Sequence, residues 1–161
     1  HTIPPKKGKA HIWNIIRTIL NFKPEGKGTN LSLPLEYLLN IQKRKATAFL
    51  ISDFQDDGYE AKLKLAKQKH DLVAISITDP REETLPDVGL IQLEDAESGE
   101  TLLIDTHDNE MTTQYAKQFQ QKRAKRKTYF SSIGIDTIEI HTNRSLTDPI
   151  IRYFKMREKK Y

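Results

Sequence analysis

Thr47-Ala48-Phe49-Leu50-Ile51-Ser52-Asp53-Phe54 is the stretch that decides the fold. From Thr47 to Ile51 the residues run on without polar alternation. They end on Ser52 and Asp53, and Gln55-Asp56-Asp57-Gly58 follows as a turn signal. An apolar run bounded in this way reads as a strand buried on both faces. Strands of that kind occupy the middle of parallel sheets, with helices on either side. Ligands of such sheets bind outside the carboxyl ends of the strands, so Asp53 sits where an α/β protein does its work. The competing assignment is local: Ser52 or Asp53 caps a helix that starts near Gly58.

Downstream, 58–70 carries Ala61, Leu63, Leu65 and Ala66 between lysines and reads as that helix. Asp71-Leu72-Val73-Ala74-Ile75-Ser76-Ile77 is a second solid apolar run. Strand, helix and strand with short connections form a right-handed βαβ unit with parallel strands. Upstream, Leu31, Leu35, Leu38, Leu39 and Ile41 define a helix with Thr29, Asn30 or Ser32 as its cap and Pro34 in its first turn. Lys43-Arg44-Lys45 closes it with cations suited to the negative end of the helix dipole. An earlier helix carries Ile12, Trp13, Ile15, Ile16, Ile19 and Leu20 and stops within 21–28. Gly26-Lys27-Gly28-Thr29-Asn30 lacks the spacing of a phosphate loop.

Beyond the second strand, the loop 79–86 (Asp79-Pro80-Arg81-Glu82-Glu83-Thr84-Leu85-Pro86) falls at the same sheet edge as Asp53 and is too long for a simple turn. The segments 88–93 and 101–104, around Glu97-Ser98-Gly99-Glu100, read as a β-hairpin insertion spanning about 88–105. Residues 105–108 cap a long helix to about 132, with Tyr115, Phe119, Phe130 and Ile133 inward and Gly134 closing it. Residues 135–140 form a third parallel strand. Asp148-Pro149 opens a last helix with Ile150, Ile151 and Phe154 inward.

The 161 residues make one domain, 1–161, with 30% charged residues and a net charge of +4. The absence of cysteine excludes disulfides, thiolate metal sites and a cysteine nucleophile, and fits a cytoplasmic protein. No apolar run approaches the ~18 residues of a spanning helix. Lys122-Arg123-Ala124-Lys125-Arg126-Lys127 is the densest basic run. With no aromatics interleaved, it reads as a solvated helix face whose stems lie over apolar surface, with nucleic-acid binding through 122–127 as the rival. The histidines at 1, 11, 70, 107 and 141 show no ligand spacing. Asp53-x-Gln55-x-Asp57-Gly58 opens like a calcium loop, but Lys64 stands where a bidentate glutamate is needed. Gln55 also stands where a phosphoaspartate phosphatase carries its second aspartate, and there is no Gly-x-Ser-x-Gly elbow. Nothing joins a nucleophile to a base, so a non-enzymatic protein is favoured over a metal-dependent phosphotransfer enzyme using Asp53.

Gly28-Thr29-Asn30-Leu31, Ile51-Ser52-Asp53-Phe54, Asp79-Pro80-Arg81-Glu82 with Leu85-Pro86, and Asp105-Thr106 together resemble one family. It is the bacterial family called domain of unknown function fifty-eight, with a von Willebrand factor A-like fold; Ile3-Pro4-Pro5-Lys6-Lys7-Gly8 is similar to it as well. The resemblance is to the C-terminal part of such proteins. It implies a three-layer, mostly parallel, Rossmann-like α/β sheet flanked by helices and truncated at its N-terminus. Domains of this type hold a divalent cation with an Asp-x-Ser-x-Ser motif, a threonine and a later aspartate. Thr29 and Asp53 match the threonine and the aspartate, and the first motif would lie before His1. One hydroxyl and one carboxylate leave most of an octahedral shell to water, so the resemblance implies magnesium in the intact protein and none in this fragment. It further implies an adaptor working with a MoxR-type AAA+ ATPase, with Asp79, Arg81 and Glu83 as partner-binding candidates. Without the first strand, 47–51 becomes an open apolar edge, which is expected to drive two-fold self-association.

Overall fold

The sheet is built on its second strand. In the computed structural model, which describes residues 2–23, 28–94 and 101–159, β1 (Thr47–Ser52) and β5 (Asp136–His141) flank β2 (Asp71–Thr78). Both pairings are parallel, with Thr47 opposite Asp71 and Val73 opposite Asp136. Leu72 to Ser76 are buried without interruption, as a strand covered on both faces requires.

β1 departs from the expectation of burial on both faces. It is an edge strand with alternating burial: Ala48, Leu50 and Ser52 turn to a covered side, while Phe49 and Ile51 remain 42% and 60% exposed. The side-chain period of a strand is two, and the uninterrupted apolar letters conceal that only one face of this strand is packed. Its other edge has no partner strand among the described residues, in line with the expected open edge.

Helices cover the two faces unequally. On one, α2 (Ser32–Ile41), α3 (Glu60–Lys69) and α5 (Asn109–Ser132) bring Leu35, Leu63, Ala66 and Phe130 against Leu72 and Ala74. On the other, α6 (Thr147–Glu158) sets Tyr153 and Ile150 against Val73, Ile75, Ile138 and Ile140. The result is the expected α/β arrangement, a three-strand parallel sheet between helix layers. A short α4 (Pro80–Glu83) lies within the loop after β2. β3 (Leu90–Glu94) and β4 (Thr101–Asp105) form a separate antiparallel pair. The hairpin turn assigned to 97–100 lies outside the described residues, as do Gly26 and Lys27.

The helix termini follow the sequence in part. Asp108 caps α5, accepting from the N–H groups of Glu110 and Met111, and Gly134 ends that helix at φ 70°. Asn30 accepts from the N–H of Leu33 at the start of α2, but α2 ends at Ile41, so Lys43 to Lys45 lie beyond its last turn. Ser52 and Asp53 do not cap α3. Their side chains accept from the N–H groups of Phe54 and Gln55 and hold a tight turn instead. α6 begins one residue before Asp148, with the hydroxyl of Ser145 accepting from Asp148 N–H. Its buried residue is Tyr153, whereas Ile151 and Phe154, expected inward, are largely exposed. α1 (Lys9–Asn21) has no buried residue, and Ile12, Trp13, Ile19 and Leu20 stand in solvent.

Candidate functional site at the carboxyl edge of the sheet

All three strands of the main sheet end on one edge, because all three are parallel. Asp53 follows β1, Asp79 follows β2 and Thr142 follows β5. The N-terminus of α2 reaches the same edge: the N–H of Leu31 donates to Asp56 Oδ2 at 2.7 Å, in the loop after β1. Thr29 is exposed two residues before that anchor. The edge therefore carries Asp53 and Asp79, both close enough to act on Glu82, while Thr29 precedes the α2 segment anchored to the loop after β1.

The loop after β1 is held in a demanding conformation. Phe54 adopts φ 59°, in the left-handed region that a bulky residue seldom enters. Packing compensates: its ring is buried, edge-on to Phe130 at 5.2 Å and 6.2 Å from the ring of Tyr59. Burial raises the phenol pKa of Tyr59 to about 12. With Phe54 locked inward, the carbonyl and carboxylate of Asp53 are left on the sheet edge.

Two arginines of the basic run then bind the edge together. Arg126 donates through Nη1 to the carbonyl of Asp53 at 2.9 Å and through Nη2 to Ser76 Oγ at 3.2 Å, and its guanidinium lies 5.6 Å from the centre of the Phe54 ring. Burial lowers its pKa, opposed by the field of Tyr59. Arg123 donates to Glu83 at 2.8 Å and to Glu139, and approaches His141 Nε2 at 3.5 Å. Burial alone would raise Glu139, but the bond from Arg123, with the charges of Arg123, Lys127 and His141, holds it below the ordinary glutamate range. The expectation that 122–127 is simply a solvated face is thus corrected for Arg123 and Arg126. Their spacing from Phe119 and Phe130 places them on the inward stripe of α5, which is the sequence signal that reveals them.

The remaining candidates separate into committed and free groups. Asp79 caps α4, accepting from the N–H of Arg81 and from the hydroxyl of Thr142, each at 2.9 Å. Those bonds, and then the charge of Arg81, hold it below the usual aspartate value. Arg81 is exposed. Glu83 is tied to Arg123, with His141 Nδ1 at 3.7 Å, so it serves the scaffold rather than an incoming ligand. Glu82, not singled out in the sequence, carries the crowding of the edge. Partial burial raises its pKa, and the charges of Asp53 and Asp79 raise it further.

Thr29 and Asp53 offer hard oxygen donors, but Asp53 Oδ1 already accepts from Gln55 N–H at 3.1 Å and Ser52 Oγ at 3.2 Å. Among the described residues no group of three or more histidine or acidic side chains is placed to hold an ion. Nor is any described helix long and apolar enough to cross a membrane.

The family model described as Protein of unknown function DUF58 matches residues 1–125. An uncharacterized protein of Mycobacterium avium is 29% identical over 160 residues, covering 98% of this chain and 94% of that protein. Uncharacterized proteins of Mycobacterium bovis and Mycobacterium tuberculosis are each 28% identical over 160 residues, and the chain spans about half (50%) of their length. No solved structure matches the chain.

Glu82 gives the edge a pH signature. Its folded pKa lies above the unfolded value of ~4.3, so ionising it opposes folding. That penalty is absent below the unfolded pKa and complete once the pH has risen through the folded one. Glu82→Gln is therefore expected to raise the urea midpoint at about pH 7 and to leave it unchanged well below the unfolded pKa. Urea titrations at the two pH values check this, and a variant no more stable near neutrality contradicts it.

Proposed function

The chain belongs to the family described as Protein of unknown function DUF58, and from that premise we propose that it is a non-enzymatic protein-interaction module of von Willebrand factor A type, an adaptor for a MoxR-type AAA+ ATPase. The observation that supports docking at the carboxyl edge is its charge: Asp53 and Asp79 lie close enough to Glu82 to raise its pKa, beside exposed Arg81 and Thr29. An edge of that kind favours a cation brought to it. In this reading the cation is a basic side chain of the partner or, where a longer protein supplies further oxygen ligands, magnesium held with Thr29 and Asp53. The same reading is of a cytoplasmic protein.

Calorimetric titration of the chain with a MoxR-type ATPase tests this. A complex is expected that weakens about tenfold in Asp53→Ala/Asp79→Ala and is unchanged in Lys122→Glu/Lys125→Glu. Magnesium alone should give no binding heat with this chain. Absence of a complex, or a complex indifferent to the edge aspartates, contradicts the reading.

The free side of β1 belongs to the same proposal as a self-association surface. Its apolar residues Phe49 and Ile51 are exposed, and among the described residues its backbone pairs only with β2. An open edge of that composition recruits another strand, and a second copy joins it most simply across a two-fold axis. Sedimentation at increasing concentration should show a dimer that Ile51→Lys dissociates. A monomer throughout the range would refute it.

A further inference from the structure

The opposite edge of the sheet is also open, and it is shaped differently. β5 pairs with β2 on one side and with no described strand on the other. Its outer edge lies in a slot of about 540 Å³ between the C-terminal part of α5 and α6. Lys127 lines the wall formed by α5; Pro149, Arg152 and Met156 line the wall formed by α6. The walls belong to opposite faces of the sheet, because Ile135 packs with Phe130 of α5 whereas Ile138 packs with Tyr153 of α6. The slot thus has the edge strand along its floor and a cation on each wall.

The charges inside the slot are unequally engaged. Glu139 is held by Arg123, and Asp136 accepts from Tyr153 OH at 3.1 Å, which itself accepts from Arg157 at 2.6 Å. Lys127 and Arg152 are exposed and make no hydrogen bond or ion pair among the described residues. An added strand therefore meets two exposed cations, of which Lys127 also acts on Glu139 through its charge, and two acids already hydrogen-bonded from within.

The geometry points to the β5 edge as a docking site for an extended acidic segment of a partner protein, added as a fourth strand. Backbone hydrogen bonds along the edge supply a sequence-independent part of the binding. Specificity comes from the walls. Successive side chains of a strand point to opposite faces, so a segment that reaches both Lys127 and Arg152 carries its acids an odd number of residues apart. This site is distinct from the carboxyl edge and stands without the function proposed there.

Fluorescence anisotropy with short labelled peptides tests it. The probe is a valine- and threonine-rich peptide with two adjacent central glutamates. Its controls carry glutamates separated by one residue, two adjacent lysines, or proline at alternate positions to remove backbone donors. The adjacent-glutamate probe is expected to bind saturably, each control at least about tenfold more weakly. Lys127→Glu/Arg152→Glu is expected to weaken the probe by about tenfold or more, while Lys125→Glu, exposed and outside the slot, leaves it unchanged. Circular dichroism verifies that the variants remain folded, and bound probe should slow amide exchange within 136–140. Absence of saturable binding, equal binding of the lysine peptide, a folded double variant of unchanged affinity, or protection at 47–52 instead of 136–140 would each overturn the assignment.

Discussion

Two guanidinium groups three residues apart hold the carboxyl edge of the sheet in place. Arg126 joins the carbonyl after β1 to the hydroxyl of Ser76 in β2, while Arg123 joins α4 to β5 through Glu83 and Glu139. Between them they bridge all three strands and the loop that carries Asp79. The partners are not equivalent. Arg123 sits between carboxylates, whereas Arg126 is half-buried against neutral oxygens and an aromatic face. Burial of a charge without a directly paired anion is costly, and here hydrogen bonds and the Phe54 ring offset that cost. The arrangement also explains why Phe54 is held at positive φ: its ring forms part of the surface on which Arg126 rests.

The scaffold that these arginines brace is covered unevenly. One face of the sheet carries three helices and a continuous core from Leu35 to Phe130, while the other is covered mainly by α6. Phe154 of α6 reaches Phe49 of β1 with ring centres 6.1 Å apart, yet both rings stay substantially exposed. The apolar side of α1 is likewise open. This exposed apolar surface adjoins a strand edge with no partner among the described residues. The molecule thus presents two kinds of surface, polar at the carboxyl ends of the strands and apolar along β1.

Much of this order is legible in the sequence, for physical reasons that also mark where legibility stops. The run 71–77 reads correctly because 72–76 is buried on both faces, which leaves no alternation there to misjudge. The run 47–51 has the same appearance, but an edge position leaves Phe49 and Ile51 unpacked, and strand order is not written in a local pattern. Asp108 and Gly134 are read correctly as helix ends because their roles are local; Ser52 and Asp53 are not, because the turn at Phe54 depends on Phe130 from a distant helix. In the site, Asp53 and Asp79 are placed by strand ends, which sequence reveals. Glu82 and Glu83 are neighbours in the same charged loop, and the position of Arg123 decides that Glu83 has an ion-pair partner while Glu82 is left beside Asp53 and Asp79. The inward arginines were hidden by composition, since six basic-rich letters suggest solvent even where the helical period turns two of them to the core.

If the arginines organise the edge, removing one should loosen the site before it loosens the sheet. Arg126→Met keeps the apolar stem and strips the bonds to Asp53 and Ser76, leaving two polar groups unpaired at an expected cost of about 1–3 kcal/mol. Hydrogen exchange of this variant, compared with the unaltered chain, is the direct measurement. Faster exchange confined to 53–57, with 72–76, 63–66 and the Arg123-held 79–84 still protected, is the predicted result. Unchanged exchange in 53–57, or uniform loss of protection across the sheet, would contradict it.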